Sequence, residues 1–155
     1  MFSNVIDNVK CVFTIEKPKE IHIQSWREIV EESISSHGFR FRYEKINFDR
    51  FWTSIFQDDF FSFAAKNEDK FMGVIVSRIN ETYYHKIIEL DLLYVHSDFR
   101  KIGVARSLIN KVELIAKEYQ LDLVIRDVEK SNLIAQKLFK NYQEIHRTSY
   151  LKKPD

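Results

Sequence analysis

At one point in this chain a dense apolar stretch passes through a single polar loop into helical spacing, and that junction most constrains the fold. Between His85 and Val95, the residues Ile87, Ile88, Leu90, Leu92, Leu93 and Val95 crowd too closely for a strand with one wet face. Burial on both faces is implied, so the stretch reads as a central strand. The loop His96–Ile102 follows. From Gly103 the period becomes helical, and Val104, Ala105, Leu108, Val112, Ile115, Ala116 and Tyr119 line one face as far as Gln120.

The rest of the chain arranges itself around this unit. Val9–Ile15 is rich in β-formers and reads as a strand. Glu20–Ser36 spaces Ile21, Trp26, Ile29, Val30 and Ile34 as a helix stopped by Gly38, and Asn47–Asp58 reads as a second amphipathic helix. Phe60–Lys66 and Phe71–Ile79 form an expected hairpin across Asn67-Glu68-Asp69-Lys70. Leu121–Arg126 reads as a short buried strand, Ser131–Tyr142 as a helix with Ser131 as its N-cap, and Glu144–Leu151 as a last strand. The expectation is an α/β (α+β) fold, one domain over residues 1–155, with a mixed sheet of about six strands and helices on both faces.

Composition narrows what such a domain can do. With 3 Gly and 2 Pro in 155 residues, elements should be long and loops short. The formal net charge of +1 provides no global field for nucleic acid or an anionic membrane, so neither is expected as a partner. The single Cys11 can form no internal disulfide, the first residues show no signal-peptide pattern, and the longest apolar run is Leu92–Val95. A cytoplasmic location is expected.

A strand running straight into a helix aims the helix's unpaired N–H groups and positive dipole end at one spot, which favours a phosphate. Gly103 removes a Cβ where backbone would approach such a ligand, Ala105 keeps the next approach open, and Arg100, Lys101 and Arg106 add positive charge. The bland alternative is that Gly103 only ends a loop. The dinucleotide fingerprint and the Gly-Lys-Ser/Thr phosphate loop are both absent, so neither NAD nor ATP is suggested.

Leu93-Tyr94-Val95-His96-Ser97-Asp98-Phe99-Arg100-Lys101-Ile102-Gly103-Val104-Ala105-Arg106-Ser107-Leu108 resembles the strand, pyrophosphate loop and helix start of the GNAT superfamily of N-acetyltransferases. Asn132-x-x-Ala135-x-x-Leu138-Phe139 is similar to the family's second coenzyme A motif, and Phe63-Ala64-Ala65 with Phe71-Met72-Gly73-Val74-Ile75 to its paired strands. Tyr150-Leu151-Lys152-Lys153 suits its final strand. The resemblance implies a mostly antiparallel sheet with a splayed parallel strand pair forming an acyl-CoA cleft. Acetyl-CoA is then the cosubstrate, with backbone N–H groups from Lys101 through Ile102, Gly103, Val104 and Ala105 to Arg106 holding the pyrophosphate. It also implies that the backbone at Val95 pairs with the pantetheine arm and polarises the thioester carbonyl, and that Asn132 hydrogen-bonds the pantetheine. Asn132 reads equally well as a simple helix-start residue.

Acetyl transfer to an amine needs a base for the amine and, where the leaving thiolate needs help, an acid. The family commonly places a Tyr after the position matched by Leu138, where this chain has Phe139, and Gln143-Glu144 replaces the family's Gly-Phe. Tyr142, nearly one helical turn on, is the remaining candidate acid; it can also be read as a half-buried aromatic closing the helix. Glu89 and Asp91 alternate on an otherwise apolar strand and are the candidate bases, unless solvated or paired with Arg78 or Lys86. His85 and His96 read as surface residues, Cys11 as a small core residue, and the histidine spacing suggests no metal.

By the same resemblance, the first two helices and His37-Gly38-Phe39-Arg40-Phe41-Arg42-Tyr43-Glu44-Lys45 would wall the acceptor side. That segment reads also as an edge with its cations in water. Two functions follow: an acetyl-CoA-dependent N-acetyltransferase acting on a small-molecule or protein amine, or a non-catalytic acyl-CoA-binding regulatory domain. Exposed strands and the aromatic N-terminal half allow a homodimer.

Overall fold

The computed structural model describes residues 12–37, 47–125 and 133–142. Five strands form one sheet in sequence order: β1 (Thr14–Glu16), β2 (Phe60–Asn67), β3 (Lys70–Glu81), β4 (Lys86–Val95) and β5 (Asp122–Ile125). Every neighbouring pair is antiparallel except β4 with β5. The helices are α1 (Ile23–His37), α2 (Phe48–Ser54), α3 (Val104–Tyr119) and α4 (Leu133–Leu138). This is the mixed, mostly antiparallel sheet expected, with five strands rather than about six among the described residues; Glu144–Leu151, Ser131 and the segment after His37 lie outside them.

The hydrophobic spacing decides which helix covers which face. Trp26, Ile29 and Val30 of α1 pack with Phe48 and Ile55 against Ala64, Val74, Val76 and Tyr94. Val104, Leu108, Ile109, Val112 and Ala116 of α3 pack on the other face against Phe63, Ala65, Met72, Ile75 and Ile88, with Leu138 and Phe139 at the rim. The four-residue spacing of Val104, Leu108, Val112 and Ala116 gives α3 one buried stripe. The helix ends where Gln120 turns left-handed at φ 54° and Leu121 N–H reaches Ala116 O at 2.9 Å, a closure usually made by glycine.

Two details depart from the sequence expectation. The second helix stops at Ser54 rather than Asp58, because tight turns from Ser54 to Gln57 and from Gln57 to Phe60 carry the chain into β2. The most buried strand is β3, at the centre of the sheet; β4 is internal too, but polar at Glu89 and Asp91.

Two bulges shape the strand that feeds α3. Opposite the step from Ala65 to Lys66, β3 carries the extra residue Met72; opposite the step from Val76 to Ser77, β4 carries the extra residue Asp91. The second bulge switches the parity of β4, so Ile88 and Leu90 before it, and Leu93 and Val95 after it, all face α3. Among the described residues, pairing with β5 runs from Ile87↔Asp122 to Leu90↔Ile125. From Asp91 to Val95, β4 has a ladder partner on the β3 side alone among the described strands.

Gly73 fixes how closely α3 can dock on this hairpin. A Cβ there would stand 2.8 Å from Tyr94 O, 3.1 Å from Val104 Cγ1 and 3.2 Å from Val95 Cγ2. The carbonyl belongs to the paired strand and cannot move aside. Gly73→Ala is therefore expected to destabilise the fold by about 1–3 kcal/mol through overpacking, read as a lower midpoint in urea unfolding with unchanged slope.

Candidate active site

The β4–α3 junction adopts a backbone that few sequences tolerate. Lys101 has φ 64° and Gly103 has φ 91°, so two left-handed residues stand one apart just before the helix. A Cβ on Gly103 would meet nothing within 4 Å, so its glycine answers to backbone conformation and to open space, not to a neighbour. Gly103 is the N-cap of α3 and offers no side chain, which leaves the first N–H groups of the helix without a side-chain cap. Their dipole end and the exposed Lys101 bring partial and full positive charge to the same place, an arrangement that favours an anion.

Neighbouring contacts hold the loop in this shape. Arg100 Nε donates to Val95 O at 3.1 Å, which ties the loop to the last residue of β4. Its guanidinium lies 5.9 Å from the centre of the Tyr94 ring, and Lys70 Nζ lies 5.1 Å from that of Phe99. Val104 is buried, while Ile102 is 45% exposed at the loop's tip. Arg106 does something the sequence did not suggest. Its Nη2 donates to Leu138 O at 2.5 Å, so this cation bridges the first turn of α3 to the end of α4.

Across the sheet, on the face that α1 and α2 cover farther along, the candidate bases meet partners. Arg78 Nε is 2.9 Å from Asp91 Oδ2, and Asn80 Nδ2 donates to Glu89 Oε2 at 2.6 Å. Burial holds the Asp91 carboxyl above the usual carboxylate range; Arg78 opposes that shift and the charge of Glu89 adds to it. Arg78 is paired in register with Glu89 and Asn80 with Ile87, so both contacts run diagonally across the hairpin, to the bulged Asp91 and to Glu89. Asp91 is the bulged residue itself, next to the last described pair between β4 and β5.

Tyr142 lies elsewhere. Its hydroxyl donates to Glu113 Oε1, midway along α3, and its ring stacks edge-on with Phe139 at 5.2 Å. Burial, and then the hydrogen bond to Glu113, push its phenol well above the ordinary tyrosine range. Asn132 lies outside the described residues. Among the described residues no group of three His, Cys, Asp or Glu could hold a metal ion, and no helix is long and apolar enough to cross a membrane.

Solved structures share this architecture. The chain superposes on the aminoglycoside N-acetyltransferase AAC(6')-Iy bound to the bisubstrate analogue CoA-S-monomethyl-acetylneamine with a TM-score of 0.73 and 18% identity, covering 93% of this chain and 99% of that one. A predicted acetyltransferase from Clostridium acetobutylicum, solved with acetyl-CoA, gives 0.73 and 13% identity over 92% and 96% of the chains. The ribosomal-protein-alanine N-acetyltransferase of Brucella melitensis biovar Abortus 2308 gives 0.67 and 17% over 93% and 100%. No curated protein matches the chain in sequence. At such identities the superpositions speak for the fold alone. The sequence pattern of the acetyltransferase (GNAT) family, however, matches residues 23–142, from the first residue of α1 to Tyr142, and so takes in β4 and the left-handed loop together. The chain belongs to the GNAT family of acetyltransferases.

Proposed function

We propose that this protein is an acetyl-CoA-dependent N-acetyltransferase whose acceptor is a primary amine on a small molecule or a protein. The observation that carries this reading is the pair of left-handed residues, Lys101 and Gly103, before an uncapped helix in the loop that follows β4. Backbone N–H groups from Lys101 to Arg106 would hold the pyrophosphate, the open edge of β4 toward Val95 would pair with the pantetheine arm, and Asn132 would bond it from the second motif. Lys101 is then the nearest exposed cation for the phosphate, since Arg100 donates to Val95 O and Arg106 to Leu138 O. The similar structures solved with coenzyme A, acetyl-CoA or a bisubstrate analogue support this use of the cleft, and their names support an amine acceptor.

Acetyl-CoA supplies a thioester carbonyl; this chain supplies orientation and a proton acceptor. The Val95 N–H would stabilise the oxyanion as the amine nitrogen attacks the carbonyl carbon in a ternary complex and the C–S bond breaks. Asp91, at the mouth of the splay, is the base for the amine proton, directly or through water. Glu89 and Arg78 set its affinity for that proton. Tyr142, committed to Glu113 and held above its normal range, is a weaker proton donor than a free tyrosine, and Phe139 donates nothing. The thiolate would then take its proton from solvent. The same two residues favour a second reading, a non-catalytic acyl-CoA-binding domain, which differs in showing no turnover.

Two measurements test the reading. Gly103→Val forces a β-branched residue into a left-handed backbone, at about 1–3 kcal/mol of strain, and crowds the phosphate site. Calorimetric titration is expected to show coenzyme A affinity at least tenfold weaker; unchanged affinity removes the loop from the site. For the chemistry, coenzyme A release from acetyl-CoA is followed across a panel of amines and peptides. Asp91→Asn is expected to lower kcat about a hundredfold. A base acts only when ionised, so wild-type activity is present above the raised Asp91 pKa and lost as pH falls through it. The acid limb should therefore lie above the ordinary carboxylate range and vanish in the variant. Tight acetyl-CoA binding with no turnover on any acceptor supports the non-catalytic reading instead.

A further inference from the structure

One carboxylate joins α1 to the strand end from which the phosphate loop departs. Glu32 Oε1 accepts from the Tyr94 hydroxyl at 3.1 Å and lies 3.4 Å from His96 Nε2. Tyr94 is only 4% exposed, and its hydroxyl also stands 3.2 Å from Ser36 Oγ, so the aromatic post is fixed along α1 at two points. The other imidazole nitrogen, His96 Nδ1, accepts the Asp98 N–H at 3.2 Å and thereby caps the turn Ser97–Phe99. A ring nitrogen that accepts carries no proton, so the neutral imidazole bears its proton on Nε2, facing Glu32. A single tautomer serves both contacts. The backbone completes the clamp, with His96 N–H bonded to Met72 O and Phe99 N–H bonded to His96 O, each at 2.9 Å.

We infer that Glu32, acting through His96 and Tyr94, is a positioning residue that sets the pose of the loop 97–103 and with it the affinity for coenzyme A. Without Glu32 the imidazole keeps its contacts with Asp98 and the Phe99 ring but loses the anchor on Nε2, so the cap on Asp98 N–H is held less firmly. The turn that delivers Arg100 and the left-handed Lys101 then samples other shapes, so the backbone N–H groups no longer converge in advance of the ligand. Because α1 runs on into the segment expected to face the acceptor, the same carboxylate ties the acceptor side to the coenzyme side. This inference rests on the reading of the loop as the coenzyme A site, although the clamp itself does not.

The test uses the full chain with Glu32→Ala, Glu32→Gln, His96→Asn and the Glu32→Ala/His96→Asn double variant. Coenzyme A is titrated by calorimetry, and amide hydrogen exchange of residues 97–103 is followed without ligand. Glu32→Ala should weaken coenzyme A about fivefold and speed loop exchange by a similar factor, the scale of one lost hydrogen bond. Glu32→Gln keeps an oxygen acceptor and should stay near wild type. His96→Asn can still cap Asp98 but cannot reach Glu32, and it leaves the Tyr94 contact in place, so it should show part of the Glu32→Ala effect, and the double variant should be no worse than Glu32→Ala alone. Additive losses, or wild-type exchange and affinity in Glu32→Ala, overturn the inference while leaving the coenzyme A reading intact. A wild-type protein that ignores coenzyme A, combined with faster loop exchange in Glu32→Ala, overturns the coenzyme A reading and keeps the clamp.

Discussion

The close approach of α3 to the β3–β4 hairpin is the constraint on which the rest of the molecule depends. At Gly73 the strand backbone, the carbonyl of Tyr94 and the first side chain of α3 occupy the space of one missing methyl group. That contact pins the start of the helix against the end of the strand, and the intervening loop must turn back sharply in a few residues. Two left-handed residues, Lys101 and Gly103, accomplish the turn. The convergence of N–H groups that makes the junction attractive to an anion is thus a by-product of tight docking on the far side of the sheet.

Electrostatically the site is local. A chain of net charge +1 cannot draw a polyanion by its overall field, so attraction must come from a helix end and from cations within a few ångströms. One of the three cations that flank the loop in sequence serves another purpose. Arg106 bridges α3 to α4, which keeps the second motif against the first. On the other face, the Arg78, Asn80, Glu89 and Asp91 quartet balances two acids with one cation and an amide, leaving Asp91 ionisable but reluctant.

Much of this was legible in the residues, for identifiable reasons. The α3 stripe repeats every four residues, the β2–β3 turn is polar and short, and the shift from strand to helical spacing marks the junction to within a residue. The bulge at Asp91 was not legible, because the apolar run Leu92–Val95 that follows it has no polar residue to mark which side chains change face. Nor were contacts between distant residues: Glu32 meets Tyr94 and His96 across more than sixty positions, and Tyr142 meets Glu113 across 29. His96 looked like a surface residue because nothing near it in sequence hints at α1. Arg106 looked like a phosphate ligand because its place in the motif says nothing of α4.

The parity switch in β4 also governs how this protein can vary. Because Asp91 is one residue more than the opposite strand requires, the strand before it and the strand after it are registered independently. Substitutions at Asp91 leave both halves in place. A single-codon deletion at that point would remove the bulge and restore strict alternation with Leu93 and Val95 still toward α3 and Leu92 and Tyr94 still on the opposite face. At Asp91 the chain can therefore lose a residue without turning any neighbouring side chain to the opposite face, whereas a deletion on either side of the bulge would have to be absorbed by it.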